Sequence, residues 1–449
     1  MSTNRTIPTT TSGIQTVKGP PFDGRTHPNL QAAEAPKGGR LGLIRQKVDA
    51  ACVDTPSLYR KNDEKPVLNK AQNLRRERFA DQRQASAIWR HYNKDYAAST
   101  AAGRGVTACA WSVIAGRTAD LYRVEKPKEG GAVRAHWEGL KMCGLRWVCP
   151  CCTKRKSEEC RKQVNAGLSV ARSRGLRPVF LTLTARHTKK MPLAVYWSKL
   201  GAADKELKRS GPWKRLNKVM GGGFAKATEC TYGKNGWHPH PHYILLLSLK
   251  TEEEAIEAVE ELRDEWLKQL EAQGLDGTSP AAIKRSFDVR GAAAAGEYLT
   301  KWGAAEELTL GAEKVGQAKG RTPWQLLRDS RTADTDKEQK HAAARWYEFI
   351  QAFEGVHQLR QSPKFRELVK AYEPPEEEKP LEKNLILSLG QNSFSHAVYR
   401  KTNMCEAVEQ TTLEDSRAAA KNAMFGETDK QAFEQEEEWS PLDATDFKI

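Results

Sequence analysis

The stretch GGFAKATECTYGKNGWHPHPHYILLLSL, residues 222–249, decides how the middle of this 449-residue chain is read. Gly233-Lys234-Asn235-Gly236 is a strong turn signal between two runs suited to a pleated strand, so the stretch predicts a β-hairpin. Alternate side chains of a strand share a face, roughly 6.5–7 Å apart along the chain. His238, His240 and His242 therefore point to one side, and Ile244 and Leu246 continue that side as core. The chain has ten histidines, and three of them within five residues in place of Val, Ile or Phe call for a cause. Neutral imidazole is a common metal ligand, so the strand reads as a metal mount at one end of a core strand. Pro239 and Pro241 cannot donate to a ladder, which predicts an edge or an irregular end there. Glu229 falls approximately opposite the histidines across the turn and is the only acid between Glu206 and Glu252, which makes it the natural third ligand. Imidazoles alone suit zinc or copper; an added carboxylate moves the preference toward Mg2+ or Mn2+.

Outward from the hairpin, RPVFLTLTAR (177–186) alternates like a half-buried strand and AVYWSKLGAADKELKR (194–209) has helical spacing. EEEAIEAVEELRDEWLKQLEAQG (252–274) predicts one helix closed by glycine, SFDVRG (286–291) a short strand, and AAAAGEYLTKWGAAEEL (292–308) a helix. The order strand, helix, hairpin, helix, strand, helix describes an antiparallel sheet backed by helices, an α+β domain. Residues 77–100 predict an amphipathic helix and 323–372 further helices carrying basic residues. Residues 1–75 are expected as a disordered basic arm and 373–449 as an acidic, disordered tail. From Glu373 onward there are 17 acidic and 8 basic residues; with a net charge of +15 overall, this leaves +24 on residues 1–372. A body that basic is an electrostatic footprint for nucleic acid. No apolar run approaches the roughly 18 residues of a membrane span, and the N-terminus lacks a signal-peptide core. A soluble cytoplasmic protein with no membrane partner is expected.

Five of the nine cysteines lie between Cys143 and Cys160. The pattern Cys143-x5-Cys149-x2-Cys152, with a Cys-Pro-x-Cys turn, has the spacing of a zinc knuckle. A tetrahedral site needs a fourth ligand, for which Cys109, Cys160, Cys151 and His136 compete. Residues 76–165 thus form an expected helix plus Cys-rich zinc-binding module.

FLTLTAR (180–186), GWHPHPHYILLL (236–247) and GEYLTKW (296–302) stand in the order of the three motifs of HUH endonucleases. With GLKMCGLRWVCPCC (139–152), RTPWQLL (321–327) and WYEFIQAFEGVHQLR (346–360), the chain resembles rolling-circle replication initiator (Rep) proteins of small bacterial plasmids over about residues 105–370. The resemblance implies an HUH nicking domain over 166–305 and a helical DNA-binding extension over 306–372. It makes His240 and His242 the principal ligands of a divalent metal, with His238 as a further one, and Cys109 the first choice for the fourth zinc ligand. It puts the nucleophile at Tyr298, with Lys301 one helical turn on, where both can meet one phosphate. A tyrosine with a pKa near 10 needs such help. The implied product is 5′-phosphotyrosyl DNA with a free 3′-OH that primes replication, the substrate being plasmid origin DNA, single-stranded at the nick.

Trp302 and Ala294 stand where some relatives carry a second tyrosine or a glutamate, so a tyrosine–tyrosine exchange is not expected at termination. Glu297, beside Tyr298, is the candidate to activate water for the closing step. No Gly-x4-Gly-Lys-Ser/Thr stretch occurs in the sequence, which assigns unwinding to a host helicase and synthesis to a host DNA polymerase. Two alternatives compete. An HUH transposase keeps the fold, and a non-enzymatic zinc protein binds nucleic acid through its basic body without using Tyr298.

Overall fold

A computed structural model describes residues 70–92, 105–106, 108–124, 134–293, 320–374, 383–399, 404–413 and 416–425. In chain order the elements are α1 (Lys70–Tyr92), β1 (Ala119–Val124), β2 (Arg134–Glu138), α2 (Pro150–Ser173), β3 (Arg177–Leu183), α3 (Leu193–Leu207), α4 (Gly211–Val219), β4 (Gly223–Gly233), β5 (Gly236–Leu247), α5 (Glu252–Glu260), α6 (Arg263–Ala272), α7 (Pro280–Arg285) and β6 (Phe287–Arg290). They continue with α8 (Pro323–Thr332), α9 (Asp336–Ala352), β7 (Leu359–Gln361), α10 (Pro363–Lys370), β8 (Lys383–Leu389), α11 (Gln391–Tyr399), α12 (Met404–Leu413) and α13 (Arg417–Phe425). No described helix is long and apolar enough to cross a membrane.

The hairpin forms as the sequence predicts, with Lys234 and Asn235 as its two-residue turn. Gly236 closes that turn at φ +95, a conformation that a side chain disfavours. The strands belong to a five-stranded sheet of order β6-β3-β5-β4-β7, antiparallel throughout. β5 is central, which is why Tyr243–Leu247 is a continuous buried run rather than an alternating one. One face of the sheet, with Val179, Leu181, Leu183, Tyr243, Leu245, Leu247 and Phe287, packs on helices α3 to α6. The other face buries Phe180, Ala225, Ala227, Ile244 and Leu246 against Val164, Leu168 and Ala171 of α2 and Phe365 and Leu368 of α10. Beyond this second core, on the same face, the histidines begin.

Three sequence expectations change. Residues 252–274 form two helices, because the chain turns at Glu261–Leu262 to bury both Val259 and Trp266 on the sheet. Residues 323–372 are not helical throughout: β7 pairs with β4, which adds an edge strand and brings α10 beneath the sheet. The described residues between 383 and 425, expected within a disordered acidic tail, form a strand and three helices. β8 pairs with β1 in a second sheet of order β2-β1-β8, and α11 to α13 cover it through Phe394, Ala407, Val408 and Met424. The acidic count hid this because the apolar side chains of NLILSL and MCEAV are few but close in space.

A third core joins the cysteine segment to everything around it. Cys109, Cys149 and Cys152 pack with Ala85 and Ile88 of α1, Leu326 and Leu327 of α8, Trp346, Phe349 and Ile350 of α9, and Cys230 and Trp237 from the tip of the hairpin. α1 and α8 are also tied by ions: Arg328 donates to Asp81 at 2.6 Å, and Arg331 meets Asp81 and Glu77.

Candidate functional site

The cysteine segment is organised by the start of α2. Cys149 is the N-cap, Pro150 supplies the first helical position, and Cys152 follows within the first turn. Cys109 and Cys143 reach the same point, and the four Sγ atoms lie within 4.8 Å of one another. Neighbouring sulfurs (Cys109–Cys152, Cys143–Cys152 and Cys109–Cys149) are 3.5 Å apart. That is too far for a disulfide and close to the roughly 3.8 Å that adjacent ligands have at a tetrahedral ion with ~2.3 Å metal–sulfur bonds. The Gly144 amide donates to Cys152 Sγ at 3.2 Å and the Cys143 amide to Cys109 Sγ at 3.5 Å, the polarity a thiolate requires. Bonding from Cys109 and the other thiols lowers the pKa of Cys152, while the same contacts raise those of Cys149 and Cys143. All four sulfurs can ionise together only around a cation, so the set fits a metal. The other three candidates stay outside it. Cys160 is buried further along α2, Cys151 is half-buried and absent from the converging set, and His136 sits on β2 against Glu138 at 3.0 Å.

The histidine strand is set by register. His242 lies between Thr182 of β3 and Ala227 of β4, His240 opposite Glu229, and His238 opposite Thr231. β3 pairs with β5 only as far as Thr182–His242, so Gly236–Pro241 has β4 as its partner and the two prolines meet no second strand. The three rings stack along the face, with centroids 4.3 Å apart for His238–His240 and 5.8 Å for His240–His242. His242 is the most constrained: Phe180 stacks on it, Thr182 Oγ1 lies 3.0 Å from Nδ1, and Glu229 Oε2 lies 3.1 Å from Nε2. Two ligand atoms of one ion, each ~2.0–2.2 Å from it, stand about that far apart, so this edge of the site fits a divalent cation. Burial depresses the pKa of His240 to about 3 and of His238 to about 4, which keeps both rings in the neutral, ligating form. Among the described residues no set containing these histidines converges as tightly as the four cysteines do. The reason is spacing: the rings follow one another along the strand, with the His240 and His242 centroids 5.8 Å apart and His238 beyond them.

Sequence reasoning missed His187. It lies in the loop after β3, and its ring stands perpendicular to that of His238 with centroids 4.5 Å apart. ARHTKK carries no periodic signal, so nothing in the linear sequence singles it out. Tyr298, Lys301 and Glu297 lie outside the described residues. The described chain runs to Ala293, past β6, which pairs with β3 through Asp288 and Thr182 beside His242.

Comparison with known proteins finds a resemblance over the middle of the chain. Residues 136–266, from β2 into α6, match the model of a family described as Replication protein. The matched segment is similar to replication proteins, and it includes the histidine strand. Among curated proteins similar to this chain, Protein rep of Streptomyces lividans is 30% identical over 146 residues, which cover 26% of this chain and 32% of the relative. A protein named Neomycin resistance protein, from Streptomyces cyanogenus, is 31% identical over 144 residues, covering 25% and 32%. The match thus spans about a third of the length of these relatives. No solved structure matches the chain. The matched segment includes Cys143, Cys149, Cys152, His187, Glu229 and the three strand histidines; Cys109 and Tyr298 lie outside it.

Proposed function

We propose that this protein is a Rep-type HUH endonuclease that initiates rolling-circle replication of a plasmid by nicking one strand at its origin. The observation that carries the reading is the register of the hairpin: a carboxylate, Glu229, faces His240 and touches His242, on the open end of a sheet face whose other end is filled with core. His240, His242 and Glu229 are the proposed ligands of Mg2+ or Mn2+, with His238 next along the strand. When bound, the ion supplies a Lewis acid for the scissile phosphate.

The remaining steps belong to the chain's own side chains. Thr182 and Phe180 hold the His242 ring in one orientation, so the ligand face is ready before DNA arrives. Tyr298 Oη attacks phosphorus, the bond from phosphorus to the 3′ oxygen breaks, the phenolic proton passes to solvent or a carboxylate, and the 3′ oxygen leaves as a hydroxyl. Lys301 shares the phosphate charge. Glu297 activates water for the closing step, in place of the second tyrosine that Trp302 replaces. The +24 charge on residues 1–372 draws in the DNA backbone. The four-cysteine cluster holds structural Zn2+, fixing the start of α2, which also lines the sheet. A host helicase and DNA polymerase complete the process in the cytoplasm.

The test is incubation of the full chain with Mn2+ and single-stranded DNA carrying the cognate origin, followed by a denaturing gel. A DNA–protein adduct absent from Tyr298→Phe and His240→Ala is expected. Nicking without an adduct would make water the nucleophile. Tight binding without cleavage in all three proteins would instead favour a non-enzymatic DNA-binding protein.

A further inference from the structure

His187, which the nicking reading does not use, pairs with His238 at the far end of the histidine strand. The Nε2 atom of His187 and the Nδ1 atom of His238 are both buried, and neither has a hydrogen-bond partner among the described residues. Buried polar nitrogens are ordinarily satisfied, and two of them on rings 4.5 Å apart share a cause. The tautomer of His187 narrows that cause. Its Nδ1 faces the Ala185 carbonyl at 3.4 Å, and a carbonyl only accepts, so Nδ1 carries the proton and Nε2 presents a bare lone pair. A bare, buried imidazole lone pair, with the other nitrogen tethered to a backbone carbonyl, is the arrangement of a metal ligand rather than of a phosphate donor.

The ring is also held in place. Tyr196 stacks on His187 at 5.1 Å, and its hydroxyl donates to the same Ala185 carbonyl at 2.6 Å. On the other side, His238 is stacked on His240, so each member of the pair has a supporting ring.

The pair is separate from the first set for a geometric reason. An ion held by His240, His242 and Glu229 lies toward the His242 end, and the His238 ring is stacked beyond His240 on the side away from His242. His187 approaches from the opposite end, beyond the point where β3 leaves β5. Among the described residues no carboxylate acts on either ring: burial dominates at both, and His187 is the charge that acts on His238. A site made of imidazoles without carboxylate selects a transition ion such as Ni2+, Co2+, Cu2+ or Zn2+ over Mg2+.

We propose that His187 and His238 hold a second divalent transition-metal ion beside the His240–His242–Glu229 set. This rests on the reading of the histidine strand as a metal mount, and the test separates the two. Ni2+ is titrated calorimetrically into untagged, zinc-loaded full-length protein. About two equivalents are expected for the wild type, and about one each for His187→Phe and His240→Ala. Phenylalanine keeps the ring against Tyr196 and removes only the nitrogens. The metal-free unfolding temperature of His187→Phe shows whether the fold survives; if it falls, His238→Phe carries the same test. One equivalent in the wild type, unchanged in His187→Phe and lost in His240→Ala, overturns this proposal and leaves the nicking site standing. One equivalent lost in both variants places His187 on the first ion and overturns a separate site. No binding in any of the proteins overturns both readings.

Discussion

Gly167 is the point at which the fold is most directly testable. It lies in the middle of α2, where glycine costs about 1 kcal/mol relative to alanine in helix propensity. A Cβ built there stands 2.6 Å from Cζ and 2.7 Å from Cε1 of Phe365, a fully buried ring on α10. Ordinary contact requires about 3.4 Å or more, so α10 or the ring must retreat by nearly 1 Å. Overpacking of that kind costs about 1–3 kcal/mol. Gly167→Ala should therefore destabilise the protein by up to about 2 kcal/mol, the propensity gain offsetting part of the clash. Phe365→Ala alone should cost about 3–5 kcal/mol. In that background the obstruction is gone, and Gly167→Ala should become stabilising by about 1 kcal/mol. The assay is urea unfolding of the four proteins of this cycle, followed by far-UV circular dichroism. A Gly167→Ala effect of the same size and sign in both backgrounds would refute the packing of α10 beneath α2, and with it the closure of the sheet face next to the histidines.

Acidification should weaken the metal-free protein through His238 and His240. Their folded pKa values, about 4 and about 3, lie below an unfolded value near 6.5. The unfolded chain therefore binds more protons in that window, and stability is complete above pH 6.5 and lost as pH falls toward 3. Between pH 7 and 5 the loss should be on the order of 2–3 kcal/mol, allowing for solvent around His238; an equal loss in His238→Asn/His240→Asn would refute the assignment. At the cysteine cluster, Cys109→Ser should reduce bound zinc below about half an equivalent and shift the fluorescence of Trp147, which shares its core. Full zinc content in that variant would show that the fourth ligand is another residue.

Much of the site was legible in linear sequence because its signals are local. The histidine alternation, the glycine-bounded turn and the opposed glutamate all belong to one hairpin, whose period of two and short turn determine which side chains share a face. The Cys-Pro-x-Cys turn is likewise local, since a proline at the first helical position sets the start of α2. What tertiary structure alone decided is what comes from far away. Cys109 joins sulfurs more than thirty residues on; the family resemblance made it the first choice, but spacing left Cys160, Cys151 and His136 open, and the set closes through the way the chain returns to the start of α2. His187 reaches His238 only because β3 ends where the hairpin continues, an accident of strand lengths that no periodicity records. β8 and the helices after it are the clearest case. Their acidic composition argues for disorder, yet their few apolar residues find β1 and β2 some 250 residues upstream. Sequence periodicity specifies which face of an element is apolar; only the folded chain specifies what that face is buried against, since burial is a property of proximity in space.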